Sequence, residues 1–385
     1  MSKKVCMLST GHSVKDDRIF FKEAISLQSA GYEVHMLFLV SPDGFARDMS
    51  GNILNPDGHH DFYLNDIRVI LVKRKSNILD KYLNKIFLSS FQKEIIKTGI
   101  DLNADIYHCH EPESLYLGYK ICKRLSKDKL VLDAHESWVK LGFKSGYVKD
   151  KIIPKLKYLI SANQLTRGYL LNLNYGIKSE VIYNAAIFQN DVETNNDHSS
   201  TFRIVHEGTL KFNRGLKMML ESIKILKSKG IDFEWDFLGY IPSKELAFIK
   251  QYQKTHKLDQ YINLKGNLKY EDLALALERY NLGIIASTFE SNNYLAGPPN
   301  KLFNYIAAGI PVLSLDIPET SRIIQKYQVG KVLKTATIEN FVNEILTIEK
   351  DRNLFTENIR ANQKEFIWKA EEKKLLKFYS DYLIS

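Results

Sequence analysis

The sequence predicts an α/β protein built from two doubly wound parallel sheets in tandem, and three observations carry that prediction. Short apolar runs of strand length alternate with amphipathic helical stretches, which argues for parallel sheets covered on both faces. The alternation stops at a polar stretch, Gln189 to Ser200, and then begins again. A chain of 385 residues with 44% hydrophobic content is long enough for two cores, which excludes disordered and fibrous classes.

The elements follow in order. The apolar run Val5 to Leu8 reads as a first strand, Gly11 as a turn, and Asp16 to Ala30 as a helix that turns Ile19, Phe20, Ala24 and Leu27 toward a sheet and stops at Gly31. Glu33 to Val40 is a second strand. Asp105 to Cys109 and Leu130 to Ala134 are further strands, with a helix between them from about Ser114 to Arg124. After the polar stretch come strand Phe202 to His206, a turn from Glu207 to Gly215, a helix from Leu216 to Lys229 and strand Phe233 to Leu238. Ile262 to Lys265, Leu282 to Ala286 and Val312 to Leu315 complete the second series. Both halves are Rossmann-like. The expected division is a domain over 1–188, a linker over 189–200, a domain over 201–368, and a terminal helix over 369–385 that packs near the junction.

Charge and cysteine usage narrow the setting. The net charge of +9 points to an anionic partner: nucleic acid, a phosphorylated metabolite or a membrane surface. Lys140, Lys144, Lys149, Lys151, Lys155 and Lys157 crowd one segment against Asp150 and are interleaved with Ile152, Ile153, Leu156, Tyr158 and Leu159. A second basic segment, Arg68 to Lys97, has Leu79, Leu83, Ile86, Phe87 and Ile95 at roughly helical spacing. Either segment suits an anionic membrane or a solvated helix face. Cys6, Cys109 and Cys122 have no metal-ligand spacing and fit a reducing cytoplasm. The first apolar run is too short for a signal peptide, and no stretch has the length of a membrane span. The expected location is therefore cytoplasmic, peripheral on the inner face of the membrane if the basic segments dock there.

Tandem doubly wound domains bring the carboxyl ends of two sheets to a cleft, where ligands of such sheets bind. The dinucleotide G-x-G-x-x-G and P-loop fingerprints are absent, which weakens dehydrogenase and ATPase readings. No D-x-D pair exists to hold a metal on a diphosphate, so cations and backbone N–H groups would have to serve. Arg214 and Gly215 close a turn that leads straight into a helix, a cradle for phosphate, although a solvated loop arginine explains them too. Lys301, placed by Pro298 and Pro299 in a first helical turn, opposes the helix dipole unless an anion binds there. His108 and His110 share one strand face but lack a third ligand at convincing spacing, so no metal is expected. His110 and His135 are raised by their positions at strand ends, and Glu113 and Glu136 lie beside them.

Taken in order, DDRIFFKEAISLQSAGYEV, DIYHCHEP, DAHES, VIYNAAI, EGTLKFNRGLKMML, INLKGNLKYEDLALALERYNLGIIAS, PPNKLFNYIAAGIPVL and FIWKAEEKKLLKFYSDYL resemble the retaining glycosyltransferases of family 4, over nearly the whole chain. That resemblance implies the GT-B fold, two Rossmann-like domains facing each other across a cleft. It also implies transfer of a sugar from a nucleotide-sugar, with UDP the prevalent carrier, to a saccharide or lipid-linked acceptor in polysaccharide or cell-envelope synthesis. It implies no cofactor and no metal. The first domain would bind acceptor and the second donor. Gly11 would lie beside the transferred sugar, His110 near donor and acceptor, and His135, Glu136 and Glu113 on the acceptor side. Arg214 and Lys301 would hold the diphosphate, Glu290 the sugar hydroxyls, and Thr209, Leu302 and Asn304 would complete the donor site. The chain departs from the family at Thr209, where many members have arginine, and at Asn304, where a second glutamate binds the ribose. An inserted loop, Ser291 to Gly297, precedes Asn304. Those departures keep a non-catalytic partner open as the alternative, beside a nucleotide-sugar epimerase of the same fold. Nucleic acid is disfavoured because no RNP or helix-turn-helix context accompanies the basic residues.

Overall fold

The structure is a computed structural model, and it describes residues 2–48, 51–74, 88–135, 146–188, 201–269, 272–287 and 297–384. The chain forms two compact units, Met1–Tyr183 with Glu371–Ser385, and Asn184–Ala370. The proposed linker, 189–200, lies outside the described residues. The terminal helix, Trp368–Tyr382, starts in the second unit and continues in the first. There Glu371 accepts the Tyr183 N–H at 3.0 Å, and Leu375, Phe378 and Tyr379 are buried.

Among the described residues, the first unit holds one eight-stranded sheet. Its strands are β1 (Lys4–Ser9), β2 (Glu33–Val40), β3 (Asp61–Leu64), β4 (Ile67–Lys73), β5 (Ile106–Cys109), β6 (Leu130–Ala134), β7 (Tyr158–Ser161) and β8 (Lys178–Val181). They lie in the order β3-β4-β2-β1-β5-β6-β7-β8, parallel except for the edge strand β3. The central strands are apolar on both faces because helices cover both, as parallel sheets require. Residues 68–73, expected in a helical segment, instead form most of β4 and pair in register with β2. The run Val69 to Val72 is aliphatic and mostly β-branched, and Asn65 and Asp66 at φ 47° and 61° turn it back on β3. The rest of that basic segment splits: 75–87 lie outside the described residues, and Ser90–Leu102 is a helix closed by a capping box between Ser89 and Gln92.

The helix expected from Asp16 begins later, as a wide π-helical stretch Ile19–Ala24 that runs into Ile25–Ser29. Asp16 stays outside it as a cap, its Oδ1 accepting the N–H groups of Arg18 at 2.9 Å and Ile19 at 3.0 Å. Arg18, Lys22 and Glu23 thereby sit on the buried side of the segment.

The second unit holds a six-stranded, wholly parallel sheet: β9 (Phe202–Glu207), β10 (Phe233–Leu238), β11 (Ile262–Gly266), β12 (Leu282–Ile285), β13 (Val312–Leu315) and β14 (Gly330–Leu333), in the order β11-β10-β9-β12-β13-β14. The chain builds outward from β9 to β11 and then returns to lay β12 on the other side of β9. This reversal opens a crevice at the carboxyl ends of β9 and β12, the place where such sheets bind ligands. Gly283 in β12 admits the Tyr305 ring, since a Cβ there would come within 2.3 Å of Tyr305 Cδ2. Trp235, Phe237 and Phe341 stack in the core beneath. No helix among the described residues is long and apolar enough to cross a membrane.

Candidate functional site

In the second unit the crevice is lined by the end of β9, the turn after it and the helix Asn300–Ala307. The turn is forced tight by its glycines. Gly215 has φ 77°, and a Cβ on it would reach within 2.4 Å of Ala286, so the helix Leu216–Ser228 begins hard against the end of β12. Arg214, in the 3₁₀ turn Phe212–Arg214, donates from Nη1 to the Thr209 carbonyl at 3.1 Å. Thr209 thus holds the arginine that closes its own loop.

Pro299, at φ −71° and ψ 152°, delivers the chain extended into the Asn300–Ala307 helix, so Lys301 falls in the first turn as expected. Its side chain is buried. Nζ lies 3.4 Å from His206 Nε2, and a Cβ on Gly208 would be 3.8 Å from it. Burial pushes the ammonium down to about 7, opposed by the nearby Glu207 carboxylate and reinforced by Arg214. His206, wholly buried beside Lys301 and Arg214, is held well below the usual imidazole range and is neutral.

Residues 301, 304 and 305 lie on one helix face. Asn304 donates from Nδ2 to both Glu207 oxygens, at 3.0 and 3.1 Å, and the Tyr305 hydroxyl accepts the Glu207 N–H at 2.9 Å. Glu207 was not singled out from the sequence as a functional residue; an acid closing an apolar strand, just before a glycine, was the available signal. The Leu302 side chain is fully buried, and its N–H donates to the Pro299 carbonyl at 2.9 Å. Glu290 lies outside the described residues, as does nearly all of the inserted loop.

In the first unit the structure gathers charge around the strand ends. Arg18 forks onto Asp133, with Nε 2.7 Å from Oδ2 and Nη2 2.8 Å from Oδ1, and donates to the Ile182 carbonyl at 2.9 Å. Its Nη2 is also 3.1 Å from Glu23. All three side chains are buried. Burial and the neighbouring Asp133 push Glu23 well above the carboxylate range. Asp133 is held well below that range, against burial, by Arg18 and the adjacent histidines.

His110 stands at the end of β5 as expected, but it is wholly buried, with Nδ1 3.4 Å from Asp133 Oδ2. Its ring is enclosed by Asp133, Glu23 and the imidazoles of His108 and His135. The imidazoles form a column. His12 and His135 have ring centroids 4.7 Å apart, His135 and His110 5.7 Å, and His110 and His108 4.7 Å, and His108 Nδ1 then lies 2.7 Å from the Tyr379 hydroxyl. His12, 21% exposed, is the outer end of that column and was missed in the sequence; its pairing with Asp16 at i+4, 3.2 Å apart, was the signal. Burial lowers His135 to about 3, so its ring is neutral.

Gly11 has open space around its Cα. Its loop is tied down by Glu111, which accepts from the Thr10 N–H, from Thr10 Oγ1 at 2.8 Å and from Ser9 Oγ at 3.1 Å. Glu113 accepts from Gln92 at 2.7 Å, a contact between helices. Glu136 lies outside the described residues. The missing third ligand for His108 and His110 is supplied by tertiary structure, since Glu23 and Asp133 each place one donor atom within 4.8 Å of the others. Arg18 already provides positive charge among these carboxylates.

Known proteins resemble the chain at both levels. Residues 201–351 match the model of the family described as glycosyl transferases group 1. A glycosyltransferase from Rickettsia africae ESF-5 shares the fold at TM-score 0.73 and 17% identity, over 100% of this chain and 99% of that one. Anabaena Alr3699/HepE, solved with UDP-glucose, does so at TM-score 0.71 and 12% identity, over 98% and 99%. The amylovoran biosynthesis glycosyltransferase AmsK of Erwinia amylovora is 28% identical over 120 residues, a match spanning 30% of this chain and 29% of the relative's length. The protein therefore has the fold of the GT-B glycosyltransferases, and the part of its second unit over residues 201–351 is similar to the group 1 glycosyl transferases.

Proposed function

We propose that the chain is a retaining, metal-independent glycosyltransferase that takes a sugar from a nucleoside-diphosphate donor, UDP being the first choice, and places it on a saccharide or lipid-linked acceptor of an envelope or extracellular polysaccharide. The observation that carries the proposal is the pair Lys301 and Arg214. Two like charges meet at the carboxyl end of β9, one of them buried, at the crevice where this sheet reverses. A diphosphate resolves their mutual repulsion. The polysaccharide transferase named among the relatives and the UDP-glucose held by a protein of the same fold support the substrate classes.

In the reaction the bond from the sugar C1 to the donor phosphate oxygen breaks, and a bond from C1 to the acceptor oxygen forms on the same face. The acceptor proton passes to the departing phosphate. Negative charge grows on that phosphate, and preorganised cations directed at developing charge are worth about 3 kcal/mol per donor. Lys301 and Arg214 take that role, while Thr209 and Gly215 fix Arg214 and the helix start beside it. His135 and His12, the less buried imidazoles, are the acceptor-side candidates, and His110 acts through them and Asp133.

The test is thermal stability with UDP, GDP, ADP and CMP, each with and without EDTA. Ligand binding to the folded state stabilises by mass action, about 2.7 kcal/mol at a hundredfold excess over Kd. An EDTA-insensitive shift with one diphosphate is expected; no shift with any of the four overturns the donor-site reading.

A further inference from the structure

We propose that Glu207 is a positioning residue of the diphosphate site: its carboxylate, clamped by Asn304, keeps Lys301 cationic while the site is empty and without neutralising it in an ion pair. The proposal rests on the donor-site reading above and deepens it.

Two consecutive residues at the end of β9 meet three residues on one helix face. His206 faces Lys301, Glu207 is held by Asn304 through two contacts, and the Glu207 N–H is bound by Tyr305. The clamp fixes where the carboxylate sits. Asn304 suits the task because its amide donates to both oxygens, whereas an acid there would set two carboxylates against each other and an aliphatic side chain would release Glu207.

Lys301 needs a counter-charge. Among the described residues, the titratable groups that face it are His206, Glu207 and Arg214. His206 is neutral and Arg214 repels it, so among the described residues Glu207 is the group that opposes burial. No ion pair joins Lys301 to a carboxylate among the described residues. The ammonium is therefore charged by a carboxylate held at a distance and is left available to an incoming anion.

The experiment is a pH titration of the free protein labelled with ¹³C-lysine, following the Lys301 Cε resonance assigned by its loss in Lys301→Arg. Wild type is expected to titrate near 7, Glu207→Gln about one pH unit or more lower, and Glu207→Asp in between. UDP affinity measured from pH 6 to 9 should fall away at lower pH in Glu207→Gln than in wild type. An unchanged Lys301 midpoint in Glu207→Gln overturns the proposal, as does a loss of UDP affinity that is equal at every pH, which marks a merely structural residue. If the midpoint moves while UDP, GDP and ADP all fail to bind wild type, the coupling of Glu207 to Lys301 stands and the donor-site reading falls.

Discussion

Asp133→Asn tests whether the buried charges of the first unit act as a compensated set. Asp133 receives a bidentate fork from Arg18 at 2.7 and 2.8 Å, with neither side chain in contact with water. Removing one partner of a buried pair costs about 3–5 kcal/mol, because the other charge is stranded. Here a second carboxylate stands by. Glu23, 3.1 Å from Arg18, is driven above its ordinary range largely by burial and by Asp133 itself, so once Asp133 is neutral Glu23 is free to ionise and take up the guanidinium. The single change should therefore fall at the low end, about 3 kcal/mol, and Asp133→Asn with Glu23→Gln should exceed the sum of the separate effects, with a coupling of about 1–3 kcal/mol. Thermal unfolding at pH 7.5 reads both, and for a unit of this size 3 kcal/mol corresponds to roughly 6–12 °C. Additive effects, or a loss under about 1 kcal/mol in Asp133→Asn, would refute the reasoning.

Glu23→Gln alone carries a pH signature. The folded chain holds the Glu23 proton above the pH at which the unfolded chain, near 4.3, releases it, so the wild type loses stability as pH rises from that value through the raised one. Glutamine removes that slope, and urea midpoints from pH 5 to 9 should decline less in the variant; parallel curves would contradict this. Gly283→Ala drives a methyl to within 2.3 Å of the Tyr305 ring and should cost about 1–3 kcal/mol in thermal unfolding, with a neutral result excluded. Cys6 and Cys122, buried and pushed up to about 12, and Cys109, raised well above the usual thiol range by burial, should resist an aromatic disulfide reagent in the native protein and all react in denaturant. Rapid labelling of the folded chain would show the packing of the first sheet to be wrong.

The strands legible in the sequence were those whose apolar runs were long or cleanly bounded. Glu33–Val40, Leu130–Ala134, Phe233–Leu238 and Val312–Leu315 have the expected limits. Tyr158–Ser161, Lys178–Val181 and Gly330–Leu333 went unread because each has four residues, too few for periodicity to show, and lacks the sharp boundary that Gly309 and Pro311 give the equally short Val312–Leu315; two also lie at sheet edges where burial is incomplete. Ile67–Lys73 was hidden by the basic residues around it. At the site, Arg214 and Lys301 announced themselves through the turn and the double proline. Glu207 did not, because its contact with Asn304 joins residues far apart in sequence, as does that of Arg18 with Asp133. A local signal for the second pair existed all the same: Arg18, Lys22 and Glu23 interrupt the apolar stripe of Ile19, Phe20 and Ala24, and charges on a buried face require partners.

The central claim is that the end of β9 and the Asn300–Ala307 helix bind a nucleoside diphosphate through Lys301. Calorimetric titration of UDP into wild type and Lys301→Met at pH 6.5 tests it most directly. A hydrogen bond to a charged group contributes about 1.5–3 kcal/mol, so the variant should bind roughly 10- to 100-fold more weakly with its fold intact. Equal affinity in the two proteins would contradict the account.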